Sequence, residues 1–401
     1  MASMEKYHAG LSSPLNFKTM PDIIRPPQIQ LVLPESIFNT QKTDYGRGES
    51  LFFGQPAGLF DTVNKKFPKI WEHYKNQKAN DWDEVEFDFR PMAMEFATRP
   101  KSMSDRMINT LAWQWEADSV ASRTLLPVMA PFISAPELQA AYGRITDNEV
   151  LHASTYSEIV RNSFEDPNKV LNDVLANQHA MHRMKTVSHA LARVYELSHQ
   201  YALGQIGYSQ LLYNAVYLMV VAVLCLERIQ FVASFAITFA IGEVGAFMSI
   251  CKAVQKICQD EYEVHVALGR DILDNEHQTL AGRIALKETE IVVRKMIREF
   301  RDSEFAWIDY MDLDNDQLTG LNSRLCKEWV MLAVGDVFDA CKLIPDADMK
   351  DHIPTKNPLG YMSHWMDISD TQGSPQEQRG GQYKTNVLTR NDESKLYDVD
   401  F

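Results

Sequence analysis

The chain has 401 residues, of which 45% are hydrophobic and 10% aromatic, a composition typical of a globular protein rather than a disordered one. Its net charge of -14, from 54 acidic and 40 basic residues, disfavours nonspecific binding to nucleic acid or to an anionic membrane. The five cysteines form no Cys-x-x-Cys motif, and no signal segment begins the chain, so we expect reduced thiols in a cytoplasmic protein.

The first part of the chain predicts an arm, a helix and a loop. Residues 1–45 contain five prolines and little periodicity, which indicates an extended N-terminal arm. Apolar residues at helical spacing predict a helix from Leu59 to about Gln77. Trp82 follows in a polar loop, where the ordinary interpretation of a lone indole is a packing anchor.

A long helix is predicted from about Ser102 to Met129. It contains two acidic residues, Glu116 and Asp118, in otherwise apolar surroundings. The residue pattern does not decide which of these two carboxylates is buried.

The next helix holds the first motif with a clear chemical meaning. It is predicted to begin at Ser134, as its cap, and to run to about Phe164. Glu149, His152 and Tyr156 project from one face of it, because they are three and then four residues apart. Helical bundles build dinuclear metal sites from Glu-x-x-His pairs, although a single pair more often lies on a solvated face.

An apolar helix is predicted to begin at Ser209, after a polar helical region at 167–202. Its apolar run is interrupted by Glu227, beside Arg228. A membrane-spanning helix needs ~20 apolar residues and does not carry an unpaired carboxylate at its centre. We therefore expect a helix buried inside a bundle, with Glu227 bound either to a metal or to a basic partner such as Arg228.

A second carboxylate and histidine cluster lies in the helix predicted from Glu243 to about Leu273. Glu261 and His265 are four residues apart, which leaves them about 40° apart on one face. Glu263 is the rival ligand, but it points largely away from His265.

The remaining pattern predicts helices at about 281–309 and 321–342, and a flexible tail from residue 351 to the end. Almost no strand pattern is present, so the predicted fold class is all-α. Several helices together supply carboxylates and histidines, and the charge of four buried carboxylates is cancelled by two divalent cations.

Several local stretches resemble the small, radical-generating subunit of class I ribonucleotide reductase, from about Phe52 to about Tyr383. They are Phe52-Phe53-Gly54-Gln55-Pro56; Ala117-Asp118-Ser119; Ile133-Ser134-Ala135-Pro136-Glu137-Leu138; Glu149-x-x-His152-x-x-x-Tyr156 with Ile159-Val160-Arg161-Asn162; and Leu226-Glu227-Arg228-Ile229-x-Phe231-x-x-Ser234-Phe235. The family usually has Glu-x-x-His in the second pair, so the spacing of Glu261 and His265 departs from the family pattern by one residue, which a local π-bulge could absorb.

The resemblance implies a ferritin-like helical domain at residues 46–350 that binds two iron ions, or manganese or a mixed pair, and reacts with O2. The implied metal ligands are Asp118, Glu149, His152, Glu227, Glu261 and His265, with Glu149 and Glu261 bridging.

The resemblance also implies a radical site and a route from it. Tyr156 falls at the stable tyrosyl radical, and Phe231, Phe235 and Ile257 fall at its apolar shield. Trp82 and Asp260 match residues that pass electrons to and from the site, and Glu377 and Tyr383 match tail residues that relay the radical.

These matches lead us to expect a homodimer that docks to a large catalytic subunit through a C-terminal tail ending at Phe401, and that lends its oxidising equivalent to ribonucleotide reduction. The alternative is a di-iron carboxylate oxidase that acts directly on a small apolar substrate, for which the tail would be dispensable.

Overall fold

The computed structural model describes residues 50–54, 60–61, 63–315, 318 and 320–366. The predicted arm and the tail residues Glu377, Tyr383 and Phe401 lie outside these ranges. Within them the chain forms α-helices and no named strand, which confirms the all-α prediction. The helices are α1 (Pro68–Ala79), α2 (Met92–Thr98), α3 (Lys101–Met129), α4 (Pro136–Ser163), α5 (Pro167–Leu175), α6 (Gln178–Ala202), α7 (Gln210–Cys225), α8 (Val232–Glu243), α9 (Met248–Asp260), α10 (Ala267–Glu276), α11 (Leu280–Tyr310), α12 (Ser323–Ala340) and α13 (Ala347–Lys350).

Two short π-helical segments interrupt the bundle at chemically important positions. The first π segment, Leu226–Gln230, joins α7 to α8 and carries Glu227. The second π segment, Glu261–Val266, joins α9 to α10 and carries Glu261 and His265. Hydrogen bonds in a π-helix run from residue i to i+5, so each turn takes up an additional residue. The local π-bulge predicted between Glu261 and His265 is confirmed.

The packing of the helices places both π segments inside the bundle. Helix α3 packs against α4, α6 and α8, and α7 packs against α6 and α11. The two π segments contact each other, and the first one also contacts α11 and α12. Helices α3 and α4 and the two π segments therefore provide the side chains of a common interior.

The apolar helix predicted from Ser209 is a core helix. The continuous stretch Gln210–Glu243 is the only helix in the described ranges that is long and apolar enough to cross a membrane, and 83% of its most apolar window is buried inside the protein. Ser209 caps it by accepting a hydrogen bond from the backbone N–H of Leu212, at 3.2 Å.

Two predicted helix starts are wrong, each for a local reason. Helix α1 begins at Pro68 rather than Leu59, because a proline disfavours the helical conformation in the residue before it and fits the first helical turn. Ser134 does not cap α4: its hydroxyl donates to the Ser50 carbonyl at 2.8 Å, and Ala135 takes the cap position.

Two other predicted helices are shorter or divided. The region at 167–202 consists of α5 and α6, separated at Asn177, whose side chain caps α6. The helix expected from Glu243 begins at Met248, because the chain turns through left-handed conformations at Gly245 and Phe247.

The packed chain continues to Met366, past the boundary at residue 350 predicted from composition. A 3₁₀ segment, Gly360–Trp365, lies on α8. The Trp365 indole stacks on Phe239, with 5.2 Å between ring centroids, and its Nε1 donates to Glu243 at 2.7 Å. These contacts fix the point from which the rest of the chain continues.

Candidate metal centre

The fold brings together all six residues predicted as metal ligands. Helix α3 supplies Asp118, α4 supplies the Glu-x-x-His pair, and the two π segments supply the rest. Every one of these side chains is buried, with at most 5% of its residue exposed: Asp118, Glu149, His152, Glu227, Glu261 and His265.

The six side chains form two overlapping groups, and within each group the possible ligand atoms lie within 4.8 Å of one another. The first group is Asp118, Glu149, His152 and Glu261, and the second is Glu149, Glu227, Glu261 and His265. Glu149 and Glu261 belong to both groups. Two such groups that share two carboxylates could together hold a pair of metal ions.

The two nitrogens of the His152 ring face different carboxylates. Its Nδ1 lies 3.2 Å from Glu261 Oε1 and 3.7 Å from Asp118 Oδ2, while its Nε2 lies 3.1 Å from Asp260 Oδ2. A carboxylate that accepts a hydrogen bond from Nε2 fixes the tautomer in which Nδ1 is free to bind a metal. Asp260 therefore orients the ring toward the cluster.

His265 faces the other group. Its Nδ1 lies 2.6 Å from Glu261 Oε2 and 3.3 Å from Glu149 Oε1. The rival residue Glu263 is exposed and lies outside both groups. The π geometry thus brings His265 beside Glu261 despite the four-residue spacing.

Helix α3 turns only one of its two candidate carboxylates into the cluster, and that carboxylate is Asp118. Glu116 is half-buried elsewhere on the helix, and burial raises the pKa of its carboxyl to about 7. The ambiguity that the residue pattern left open is therefore resolved geometrically.

The alternative partner for Glu227 does not form. Arg228 instead binds Asp336 of α12, with Nη2 2.6 Å from its Oδ2. No hydrogen-bond donor in the described ranges reaches either oxygen of Glu227. Burial, followed by the neighbouring charges of Glu261 and Glu149, raises the pKa of the Glu227 carboxyl well above its usual range.

The other groups of the cluster are also perturbed. Burial and the charge of Glu149 raise the pKa of Asp118 well above its usual range. Burial by itself lowers the pKa of His265, but the charge of Glu261 and hydrogen bonds to Glu149 and Glu261 raise it to about 10. Burial also lowers the pKa of His152 by itself, but hydrogen bonds to Asp260, Glu149 and Glu261 raise that pKa well above its usual range. Without metal, this cluster therefore holds protons at neutral pH.

The donor set fits two divalent cations. All eight carboxylate oxygens of the cluster are buried: those of Asp118, Glu149, Glu227 and Glu261. No hydrogen-bond donor in the described ranges contacts them, other than the two imidazoles and the Tyr156 hydroxyl of the site itself. Buried carboxylates with so few donors are costly, so this concentration of them fits bound cations. Four carboxylates and two imidazoles are the oxygen and nitrogen donors that iron and manganese accept.

Tyr156 is buried next to the cluster. Its residue is 0% exposed, and its hydroxyl faces Asp118 without a hydrogen bond of acceptable geometry. Burial and the charge of Asp118 raise the pKa of this phenol well above its ordinary value. The three residues predicted as an apolar shield, Phe231, Phe235 and Ile257, are at most 1% exposed and belong to the same core.

Trp82 connects to the cluster through Asp260. Its Nε1 donates to Asp260 Oδ2 at 2.7 Å, and its ring lies nearly parallel to His152, with 6.0 Å between centroids. Gln77 and Asn148 donate to the same carboxylate at 2.9 and 3.1 Å. The residue pattern did not identify these two amides, because each meets Asp260 only through helix packing.

Comparisons with known proteins agree with this geometry. A family model described as "Ribonucleotide reductase, small chain" matches residues 59–342. The beta subunit of ribonucleoside-diphosphate reductase from Haemophilus influenzae is 25% identical over 359 residues, covering 85% of this chain and 92% of that protein. The beta subunit of ribonucleoside-diphosphate reductase 1 from Escherichia coli O157:H7 is 24% identical over 359 residues, and the alignment covers 85% of this chain and 92% of that protein.

Solved structures share the fold. The ribonucleotide reductase R2 subunit from Clostridium botulinum aligns with a TM-score of 0.66 at 18% identity, covering 80% of this chain and 94% of that one. The dimanganese(II) NrdF of Streptococcus sanguinis aligns with a TM-score of 0.53 at 12% identity, covering 76% and 96%. The ferritin-like helical fold is thereby confirmed.

Proposed function

The chain belongs to the family of ribonucleotide reductase small chains, and on that premise we propose that it is the radical-generating subunit of a ribonucleoside-diphosphate reductase. The observation that supports this function most directly is the pair of overlapping, fully buried ligand groups with Tyr156 beside them. The chain spans 92% of the relatives from Haemophilus and Escherichia, so the proposal concerns the whole subunit.

The cluster would hold two iron ions, with manganese or a mixed pair accepted by the same donors. Asp118 and His152 would bind one ion, Glu227 and His265 the other, and Glu149 and Glu261 would bridge them. The bound pair would supply the oxidising power obtained from O2. The protein itself supplies a buried site in which few hydrogen-bond donors compete for the carboxylates.

Tyr156 would carry the stored radical. A tyrosine phenol is protonated at neutral pH, and burial raises the pKa of Tyr156 further, so the residue must lose both an electron and a proton when it is oxidised. Asp118 is the carboxylate that the hydroxyl faces, so we assign it as the proton acceptor. We propose that Phe231, Phe235 and Ile257, which are buried in the same core, shield the radical from water and reductants.

The hydrogen-bonded series Trp82, Asp260 and His152 would carry electrons between the surface side of the bundle and the cluster. The expected continuation runs through Glu377 and Tyr383 to a large catalytic subunit that binds the tail ending at Phe401. We further propose that the protein is a homodimer and that it acts in the cytoplasm. The five free, buried cysteines are consistent with a reducing compartment.

Electron paramagnetic resonance tests this function. Metal-free protein that receives ferrous iron anaerobically and is then exposed to air should show a tyrosyl doublet. Tyr156→Phe should abolish it. The control Tyr217→Phe, which removes another buried hydroxyl, here one 2.9 Å from His277, should retain it. A parent protein that binds two irons without an organic radical would contradict the proposal.

Deleting the tail after about residue 370 separates this function from that of an oxidase acting on a small apolar substrate. The truncated protein should keep its radical but lose nucleotide reduction with the large subunit. An oxidase would lose little activity, because its substrate would react at the cluster without the tail.

A further inference from the structure

The two π segments are joined to each other by side chains outside the ligand set. Arg228 follows Glu227 in the first π segment, and Tyr262 follows Glu261 in the second. The Arg228 Nη1 donates to the Tyr262 hydroxyl oxygen at 3.0 Å, and the guanidinium carbon lies 4.9 Å from the centre of the Tyr262 ring. Each partner is thus the immediate chain neighbour of a predicted ligand.

The same arginine is anchored to a third element. Its Nε and Nη2 both donate to Asp336 Oδ2, at 3.0 and 2.6 Å, and Asp336 lies on α12. Only 7% of the Arg228 residue is exposed, so these charge-assisted hydrogen bonds are shielded from solvent on the arginine side. We call Arg228, Tyr262 and Asp336 the clasp.

Within the described ranges, no polar side chain outside the ligand set orients Glu227 or His265. No donor in the described ranges reaches the Glu227 oxygens, and the Nε2 of His265 has no partner. By contrast, His152 is oriented by Asp260, which Trp82 also holds. The positions of Glu227 and His265 therefore depend on the backbone of the π segments.

Two features of the π segments favour their separation from each other. π-helical turns are rare, and these two carry carboxylates that meet at close range in the second ligand group. Crowding two buried carboxylates is costly even when one of them is protonated, because burial and mutual proximity both disfavour the charged form. This cost acts to push the segments apart. A hydrogen bond and a cation–π contact between the segments oppose this separation.

We propose that the clasp is a positioning device for one half of the metal centre, the half formed by Glu227 and His265. This inference rests on the proposed function, because it assigns a role within the same centre. The clasp predicts unequal losses of affinity for the two metal ions, which general destabilisation of the protein would not produce. Loosening the clasp should weaken binding of the ion held by Glu227 and His265 far more than binding of the other ion. Both ions share Glu261 of the second π segment, but the other ion would also be held by Asp118 and His152, which lie on α3 and α4.

Tyr262→Phe and Asp336→Asn test the clasp. The first keeps the ring and removes the acceptor hydroxyl, and the second replaces a half-exposed carboxylate with its neutral isostere. Tyr217→Phe is the matched control, since it removes a hydroxyl bonded to His277 in another part of the bundle. The probe is Mn²⁺ added anaerobically to metal-free protein, with free Mn²⁺ read from its electron paramagnetic resonance signal.

We expect the parent and Tyr217→Phe to bind two ions with similar stepwise dissociation constants. In each clasp variant, one constant should rise about tenfold or more while the other stays within about twofold, as is typical when residues that orient metal ligands are changed. Unchanged constants in both variants, or an equal loss at both steps, would overturn the clasp.

Failure of the proposed function would appear elsewhere. It would be seen in the parent protein as two bound metals without a radical, whereas failure of the clasp would be seen only in the comparison of variants with the parent.

Discussion

Replacing Asp260 with asparagine is the sharpest perturbation of the centre that leaves every predicted ligand in place. The Asp260 carboxylate is bonded by four side chains: Trp82 at 2.7 Å, Gln77 at 2.9 Å, Asn148 at 3.1 Å and His152 at 3.1 Å. Three of these four contacts are to Oδ2, and that of Gln77 is to Oδ1. Asparagine has nearly the same shape, but its amide nitrogen cannot accept a hydrogen bond.

The size of the effect follows from that one lost acceptor and the lost charge. If the amide oxygen replaces Oδ2, the Gln77 amide faces another donor, and the His152 ring loses its charged acceptor. A hydrogen bond to a charged group contributes about 1.5–3 kcal/mol. Changing the partner of a metal-binding histidine typically costs about 10–100-fold in metal affinity, and this range corresponds to about 1.4–2.7 kcal/mol. The two estimates overlap, so we expect metal binding to weaken by about thirtyfold.

The assay is the anaerobic Mn²⁺ titration of metal-free protein, with its unfolding in urea followed in parallel. Asp271→Asn is the matched control, because Asp271 Oδ2 lies 2.8 Å from the Nε2 of His73, a histidine outside the cluster. Asp260→Asn should raise the dissociation constant of at least one ion, and Asp271→Asn should not. Equal affinities for Asp260→Asn and the parent, or equal losses in both variants, would refute the assignment of Asp260 as the group that orients His152.

Three further outcomes are expected. Glu304→Ala should lower the free energy of unfolding by about 3–5 kcal/mol, because it leaves Arg183 buried without its 2.6 Å partner. Combining it with Arg183→Met should cost less than the sum of the single losses, and additive losses in urea denaturation would contradict this. Metal affinity should rise with pH, because raised pKa values keep protons on the metal-free cluster. For the same reason, metal loading should release protons into a weakly buffered solution. An affinity that does not depend on pH would contradict this. Gly242→Ala places a Cβ 2.7 Å from the Trp365 ring and should speed limited proteolysis near residues 360–366, unlike Gly143→Ala, whose new atom meets nothing closer than 3.8 Å.

Helical periodicity made several parts of the site predictable from residue spacing. Glu149, His152 and Tyr156 share a face because of their spacing alone, and all three are buried. A carboxylate inside an apolar helix drew attention to Glu227. The π geometry of the Glu261 and His265 segment was indicated by its departure from the family's Glu-x-x-His spacing. These inferences succeeded because a helix fixes the relative directions of residues within one or two turns.

Only the packing of the helices shows which residues that are distant along the chain come into contact. The choice of Asp118 over Glu116 could be made from residues only by family resemblance, whereas packing makes it directly by turning one face of α3 inward. Arg228 was an available partner for Glu227, yet it binds Asp336, more than 100 residues away along the chain. Such pairings depend on how helices pack against each other, and no local spacing encodes the distance between two residues on different helices.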